Sequence, residues 1–284
     1  MIMRRRMTDM RTLYVSDLDG TLMRDDKTLS DKTVELINRL IEEDVCFTYA
    51  TARSIKSARE ITGRLNLKLP VITRNGTALA DNKTGKIIKR AIFSADEIEK
   101  IKNELPELYE CGFVSSYFGD EMMKVCLKGQ HSFGMEKYIE DHKDDSRMKQ
   151  ADSIEEMFEG EPGYITVIDD KDKLEDAYVR MNDYPNWECV FQKDQYGDEY
   201  WLEICPDNST KAKAILKLKE KIGADRLVVF GDSVNDIPMF EIADESYAVE
   251  NALYEVKKIA TGVIGSNNDD CVASYISSKT KILL

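Results

Sequence analysis

At 284 residues, with 42% hydrophobic and 33% charged side chains, the chain is long enough for one or two domains with substantial cores. Forty basic against 53 acidic residues leave a formal charge of −13. That excludes nucleic acid and anionic membrane as general partners, because affinity for either rests on a basic surface.

The first predicted strand is Leu13-Tyr14-Val15, a short apolar, β-favouring run that ends in Asp17, Asp19 and Gly20. An acid-bearing strand end followed by glycine is how open α/β sheets present ligand sites. If strand geometry persists, Asp17 and Asp19 point the same way, and their repulsion calls for Mg²⁺ or a shared proton. Ser30 is expected to cap a helix through about Glu43, with Val34, Ile37, Leu40 and Ile41 on its apolar face. A second strand over 45–50 ends at Thr51-Ala52-Arg53, a helix follows to about Leu65, and a third strand over 70–73 closes on Asn75-Gly76. This alternation predicts a parallel sheet with right-handed crossovers.

The pattern changes near Asp81. Asp81 to Gly85 reads as a hairpin turn, and Ser94 and Ser153 each open a helix with a capping box. Strands are expected near 112–118, 122–127, 163–169, 187–192 and 199–204, with a helix near 171–182. Residues 82–205 therefore read as an α+β module inserted into a parent domain formed by 1–81 and 206–284. The parent resumes with a helix from Thr210 to Lys221 ending at Gly223, and a strong strand, Arg226 to Phe230, leads into Gly231-Asp232-Ser-Val-Asn235-Asp236. Short strands follow near 247–249 and 263–264.

Other features read as structure. His131 and His142 are expected at the surface, and two histidines exclude a His-rich metal site. Tyr117, Phe118, Tyr196, Tyr200 and Trp201 read as core and strand residues, and Asp141 to Asp145 as a solvated helix end. No apolar run approaches the roughly 18 residues of a membrane span. Met1 to Arg11 is arginine-rich without a signal-like apolar segment, and six scattered cysteines with no CxxC pair point to a reducing cytoplasm.

Four strand ends thus carry polar groups: Asp17/Asp19, Thr51/Arg53, Asn75 and Asp232/Asn235/Asp236. In a parallel sheet these share one edge. Oxygen ligands suit Mg²⁺, and phosphoryl transfer needs charge neutralisation, positioning and a nucleophile. Asp17 suits the nucleophile, Asp19 an acid/base, Thr51 a hydroxyl donor and Lys211 a compact positive charge.

Four segments, in order, resemble the motifs of the haloacid dehalogenase (HAD) superfamily: Asp17-Leu-Asp19-Gly20-Thr21, Ala50-Thr51-Ala-Arg53-Ser54, Ser209-Thr-Lys211 and Gly231-Asp232-Ser-Val-Asn235-Asp236. Ile72-Thr-Arg-Asn75-Gly76 and Ala248-Val-Glu-Asn251-Ala252 resemble segments of its Cof-type branch, which carries a large α/β cap between the second and third motifs. The resemblance implies a Rossmann-like core with an inserted α+β cap, and a Mg²⁺-dependent phosphatase forming an aspartyl-phosphate. It implies Asp17 as nucleophile, Asp19 as acid/base, and Thr51 and Lys211 holding phosphate. Mg²⁺ would sit on the Asp17 side chain, the Asp19 carbonyl and Asp232, with Asp236 orienting metal-bound water or Lys211 and Asn235 supporting the same network. Arg53, Asn75, Gly76 and Asn235 would meet substrate, a small phosphorylated metabolite and foremost a sugar phosphate, and cap residues would meet the leaving group. A monomer or weak homodimer is expected.

The chain departs from the pattern at Ala52, Ala212 and Cys271, where glycine is usual. None of these removes a chemical group. The competing readings are a phosphotransferase or mutase using the same intermediate, and a non-catalytic sensor of a phosphorylated ligand.

Overall fold

The computed structural model describes residues 10–119, 121–194, 197–207 and 210–282. In chain order the elements are β1 (Thr12–Ser16), α1 (Asp31–Glu42), β2 (Cys46–Tyr49), α2 (Ile55–Thr62), β3 (Val71–Thr73), β4 (Ala78–Ala80) and β5 (Ile87–Arg90). There follow α3 (Ala95–Glu104), α4 (Glu107–Cys111), β6 (Gly112–Phe118), β7 (Glu121–Leu127), α5 (Phe133–Asp141), β8 (Met148–Ala151), α6 (Ile154–Met157), β9 (Glu161–Asp169), α7 (Lys171–Asn182), β10 (Trp187–Lys193) and β11 (Tyr200–Pro206). The chain closes with α8 (Lys211–Ile222), β12 (Arg226–Gly231), α9 (Ile237–Glu241), β13 (Glu245–Ala248), α10 (Tyr254–Ile259), β14 (Gly262–Val263) and α11 (Cys271–Thr280).

The chain divides into two compact units, one of residues 1–89 with 211–284 and one of residues 90–210. The first division falls later than the expected 81/82 because the 81–86 turn joins β4 to β5, and both strands extend a small sheet begun by β3.

The first unit is built on a five-stranded sheet in the order β14-β13-β12-β1-β2, parallel throughout. β3 continues it through a parallel bridge between Ala50 and Ile72. Leu13, Val15, Leu227 and Val229 are fully buried, as in a sheet covered on both faces. In α1 the Ser30 hydroxyl accepts the Thr33 N–H, and Val34, Ile37, Leu40 and Ile41 pack into the core. Each such aliphatic side chain contributes roughly 1.5–3 kcal/mol on burial. Gly223, at φ +65, ends α8 as expected.

The second unit carries a six-stranded sheet in the order β10-β11-β9-β6-β7-β8, antiparallel except for β7 with β8. One face packs Val114, Ile165, Val167, Leu202 and Ile204 with Leu105, Leu174 and Met181. On the other, Phe113, Cys126 and Ile168 pack with Met135 and Tyr138 of α5. The Ser94–Glu97 capping box is complete, whereas Glu156 turns its carboxylate to the Asp152 N–H and leaves only the Ser153 half of the second box.

Three surface readings change. His131 and His142 are half-buried; His142 stacks on Tyr138 with centroids 4.1 Å apart. Asp145 is held by a two-pronged ion pair with Arg147 rather than left in solvent. Phe118 is exposed, while Tyr117 is buried and Trp201 meets Tyr138 edge-on. Tyr196 and Ser209 lie outside the described residues. Among the described residues, no helix is long and apolar enough to cross a membrane.

Candidate active site

Strand geometry stops at Ser16. The Asp17 N–H donates to the Phe230 carbonyl (2.9 Å), which ties the end of β1 to β12. Leu18–Leu22 then forms one wide helical turn, closed by Met23 N–H to the Leu18 carbonyl (2.8 Å). The turn passes through Gly20 at φ +69, and a Cβ there would lie 2.5 Å from Asp232 Oδ2. Both facts require glycine. The turn also separates the two acids, which strand alternation would have aimed together. Asp17 is buried against Lys211, whereas the half-exposed Asp19 carboxylate is gripped by Arg53.

Lys211 opens α8 and is buried. Its Nζ donates to Asp17 Oδ1 (2.7 Å) and Asp236 Oδ1 (2.8 Å). Asp236 Oδ2 accepts the N–H groups of Asp232 (3.0 Å) and Ser233 (3.1 Å). Both Asp236 oxygens are thus committed, which makes it a brace for the loop and the lysine. Asp232 Oδ1 accepts the Thr21 hydroxyl (2.8 Å).

Carboxylate oxygens of Asp17, Asp232 and Asp236 lie within 4.8 Å of one another. Burial pushes the Asp17 carboxyl well up, against the pull of the Lys211 ammonium. Burial, then the Asp236 charge, pushes Asp232 up to about 6. Burial alone would lower Lys211, but the Asp17 and Asp236 charges outweigh it and hold the ammonium. One lysine therefore faces three crowded carboxylates. The excess negative charge and all-oxygen donor set fit a hard divalent cation such as Mg²⁺ on Asp17 and Asp232.

At the neighbouring strand ends, Thr51 is fully buried. Its Oγ accepts the Arg53 N–H (3.1 Å), a role that leaves the hydroxyl proton to donate. Arg53 takes Asp19 with two nitrogens, Nε at 2.9 Å and Nη2 at 2.6 Å, and its Nη1 reaches Ser57 Oγ (3.1 Å). The Asn75 N–H donates to the Thr51 carbonyl (3.0 Å) in a loop where Arg74, Asn75 and Gly76 all have positive φ. A left-handed non-glycine residue costs roughly 1–2 kcal/mol, so the surrounding contacts impose this loop. Asn235 is half-buried in the Val234–Asp236 turn, and among the described residues no side-chain hydrogen bond holds it.

Two contacts had no warning in the residue pattern: Thr21 on Asp232, and the Asn251 side chain on the Gly20 carbonyl (2.7 Å). Thr21 and Asn251 both stand inside segments that carry the resemblance, but neither has a charge to mark its partner.

A parallel sheet with acids at its strand ends, interrupted by an inserted α+β cap, defines the architecture of a HAD core and cap. A model for haloacid dehalogenase-like hydrolases matches residues 14–276. The chain is similar to the 5-amino-6-(5-phospho-D-ribitylamino)uracil phosphatase YwtE of Bacillus subtilis, 26% identical over 280 residues and covering 92% of this chain and 95% of the relative. It is 24% identical over 277 residues to an HMP-PP phosphatase of Escherichia coli O8, covering 94% and 95%. Its fold matches a solved structure from Bacteroides thetaiotaomicron, described among phosphatases of the HAD superfamily, with a TM-score of 0.77 at 17% identity over 99% of each chain. The chain belongs to the haloacid dehalogenase-like hydrolase family, and within it is a phosphatase-type enzyme.

Proposed function

We propose that this enzyme hydrolyses a small phosphorylated metabolite, foremost a sugar phosphate, with Mg²⁺ and through a phosphorylated Asp17. The observation that carries the reading is the buried Asp17–Lys211–Asp236 triad beside Asp232, a cluster one ammonium cannot neutralise. Mg²⁺, held by the Asp17 and Asp232 carboxylates and the Asp19 carbonyl, would neutralise phosphoryl oxygens as charge develops on them.

Lys211 fixes Asp17 Oδ1, so Oδ2 is the attacking atom. It forms a bond to phosphorus as the bond to the leaving oxygen breaks, and Asp19, in its protonated form, gives that oxygen its proton. Asp19 then removes a proton from water, whose oxygen attacks phosphorus and releases the Asp17 carboxylate and phosphate. Thr51 and Asn235 donate to the phosphoryl oxygens, with Lys211 beside them. Arg53, Asn75 and Gly76 meet the substrate at the same strand ends, and Arg53 also holds Asp19 in place.

The sugar-phosphate class is supported by one relative whose name specifies a phospho-D-ribityl compound. Cysteine spacing supports a reducing cytoplasmic setting. The test is phosphate release over a panel of phosphorylated sugars, nucleotides and cofactors, with and without EDTA. Mg²⁺-dependent release from one class is expected. Phosphate moved to a second hydroxyl, rather than freed, would make the enzyme a transferase, and ligand binding without turnover would make it a sensor.

A further inference from the structure

Outside the acid cluster, one exposed side chain ties the turn that carries Asp17 and Asp19 to the loop after β13. Asn251 lies in the 249–253 loop after β13. Its Nδ2 donates to the Gly20 carbonyl (2.7 Å) and its Oδ1 accepts the Asn267 N–H (3.2 Å). The same loop is pinned to the end of β12, because the Leu253 N–H donates to the Asp232 carbonyl (2.9 Å) and the Val249 N–H to the Gly231 carbonyl (3.3 Å). Asn267 reaches the far side of the catalytic turn, donating through Nδ2 to the Met23 carbonyl (3.0 Å) and Asp25 Oδ1 (2.9 Å).

This bridge acts at the least constrained point of the turn. Gly20 has no side chain to limit its rotation, yet it follows Asp19 directly and stands against Asp232. Swinging the Gly20–Thr21 peptide would move Thr21 off Asp232 Oδ1, and rotation about the Gly20 backbone would pass the change to the preceding peptide, which carries the Asp19 carbonyl. A carboxamide supplies both the donor for Gly20 and the acceptor for Asn267, and a carboxylate has no donor.

We propose that Asn251 is a positioning residue that sets the Gly20 peptide against Asp232, and so fixes how Asp17, the Asp19 carbonyl and Asp232 converge on the metal. The inference rests on the Mg²⁺ reading above. Because Asn251 is exposed, truncating it leaves no buried cavity.

The test is calorimetric titration of Mg²⁺ into the full-length chain, with metal-free melting curves, for wild type, N251A, N251D and N268A. Asn268 shares the network but bonds Asp25, not the catalytic turn. Mg²⁺ affinity is expected to fall on the order of tenfold in N251A and N251D, as for other residues that orient metal ligands. N268A should bind like wild type, and all four metal-free melts should agree closely. Wild-type affinity in N251A would overturn the inference, as would equal losses in N251A and N268A accompanied by lower melting temperatures. A wild-type chain that binds no Mg²⁺ would overturn the functional reading and this inference with it.

Discussion

Lys211 Nζ lies 2.7 Å from Asp17 Oδ1 across a separation of 194 residues, and the same ammonium reaches Asp236 Oδ1 at 2.8 Å. Three charged groups that would each be costly to bury alone are stable together because each meets an opposite charge. Lys211→Met removes the shared partner and leaves two buried carboxylates facing one another. Urea unfolding should show a loss of roughly 3–5 kcal/mol, and phosphate release should fall to background. A variant with normal turnover would place Lys211 outside the site.

Gly20 tests the fit between the catalytic turn and Asp232. Gly20→Ala adds a methyl 2.5 Å from Asp232 Oδ2 at φ +69. Stability should fall by at least about 1 kcal/mol, and the Mg²⁺ concentration needed for half-maximal activity should rise. Metal titrations of activity beside urea curves measure both. Unchanged values in both would mean that the turn does not depend on glycine.

Arg53 separates catalysis from stability. Its bond to Asp19 is partly open to solvent, so Arg53→Ala should cost no more than about 1 kcal/mol of folding free energy. Turnover should fall far more, because Asp19 loses the group that aims it. Arg53→Lys restores the charge without the two-pronged grip and should recover only part of the rate. Full recovery by lysine would reduce the role of Arg53 to charge alone.

Much of this arrangement was legible in the amino-acid sequence. The parallel core followed from β-favouring runs alternating with capped helices, and the inserted unit from the change of pattern after Asp81. What could not be read were contacts decided by turn geometry. Leu18–Leu22 leaves the strand period, so Asp17 and Asp19 part company, and the pairing of Asp19 with Arg53 follows from that turn. Thr21 on Asp232 and Asn251 on Gly20 join residues more than 200 positions apart through uncharged side chains. β8, Met-Lys-Gln-Ala on a sheet edge, lacks the alternation that marks a strand. α5 showed only through its acidic end at Asp141, and its bounds were not legible because only Gly134, Met135 and Tyr138 of its residues are buried.

A pH effect is expected from Glu203 of the inserted unit, which faces Val190 on β10 and Thr166 on β9. Burial pushes its carboxyl up to about 7, and a hydrogen bond with Tyr164 only partly pulls it back. Between its ordinary value of 4.5 and about 7 the folded state binds the proton more tightly than the unfolded state. The stability contributed by that proton is present below pH 4.5 and is lost as pH rises through 7. Glu203→Gln should therefore match wild type near pH 4.5 and exceed it at pH 8, by no more than about 3 kcal/mol. Urea curves at the two pH values decide it, and an equal difference at both would contradict the assignment.

In the proposed mechanism Asp17 carries the phosphoryl group. Enzyme turning over a substrate found in the phosphate-release panel is quenched in acid, reduced with borohydride, digested and analysed by mass spectrometry. A phosphorylated Asp17 is reduced to homoserine, so homoserine should appear at position 17 in the turning-over wild type and be absent without substrate. An active enzyme that keeps unmodified aspartate at position 17, or that retains its rate as Asp17→Asn, would contradict the mechanism.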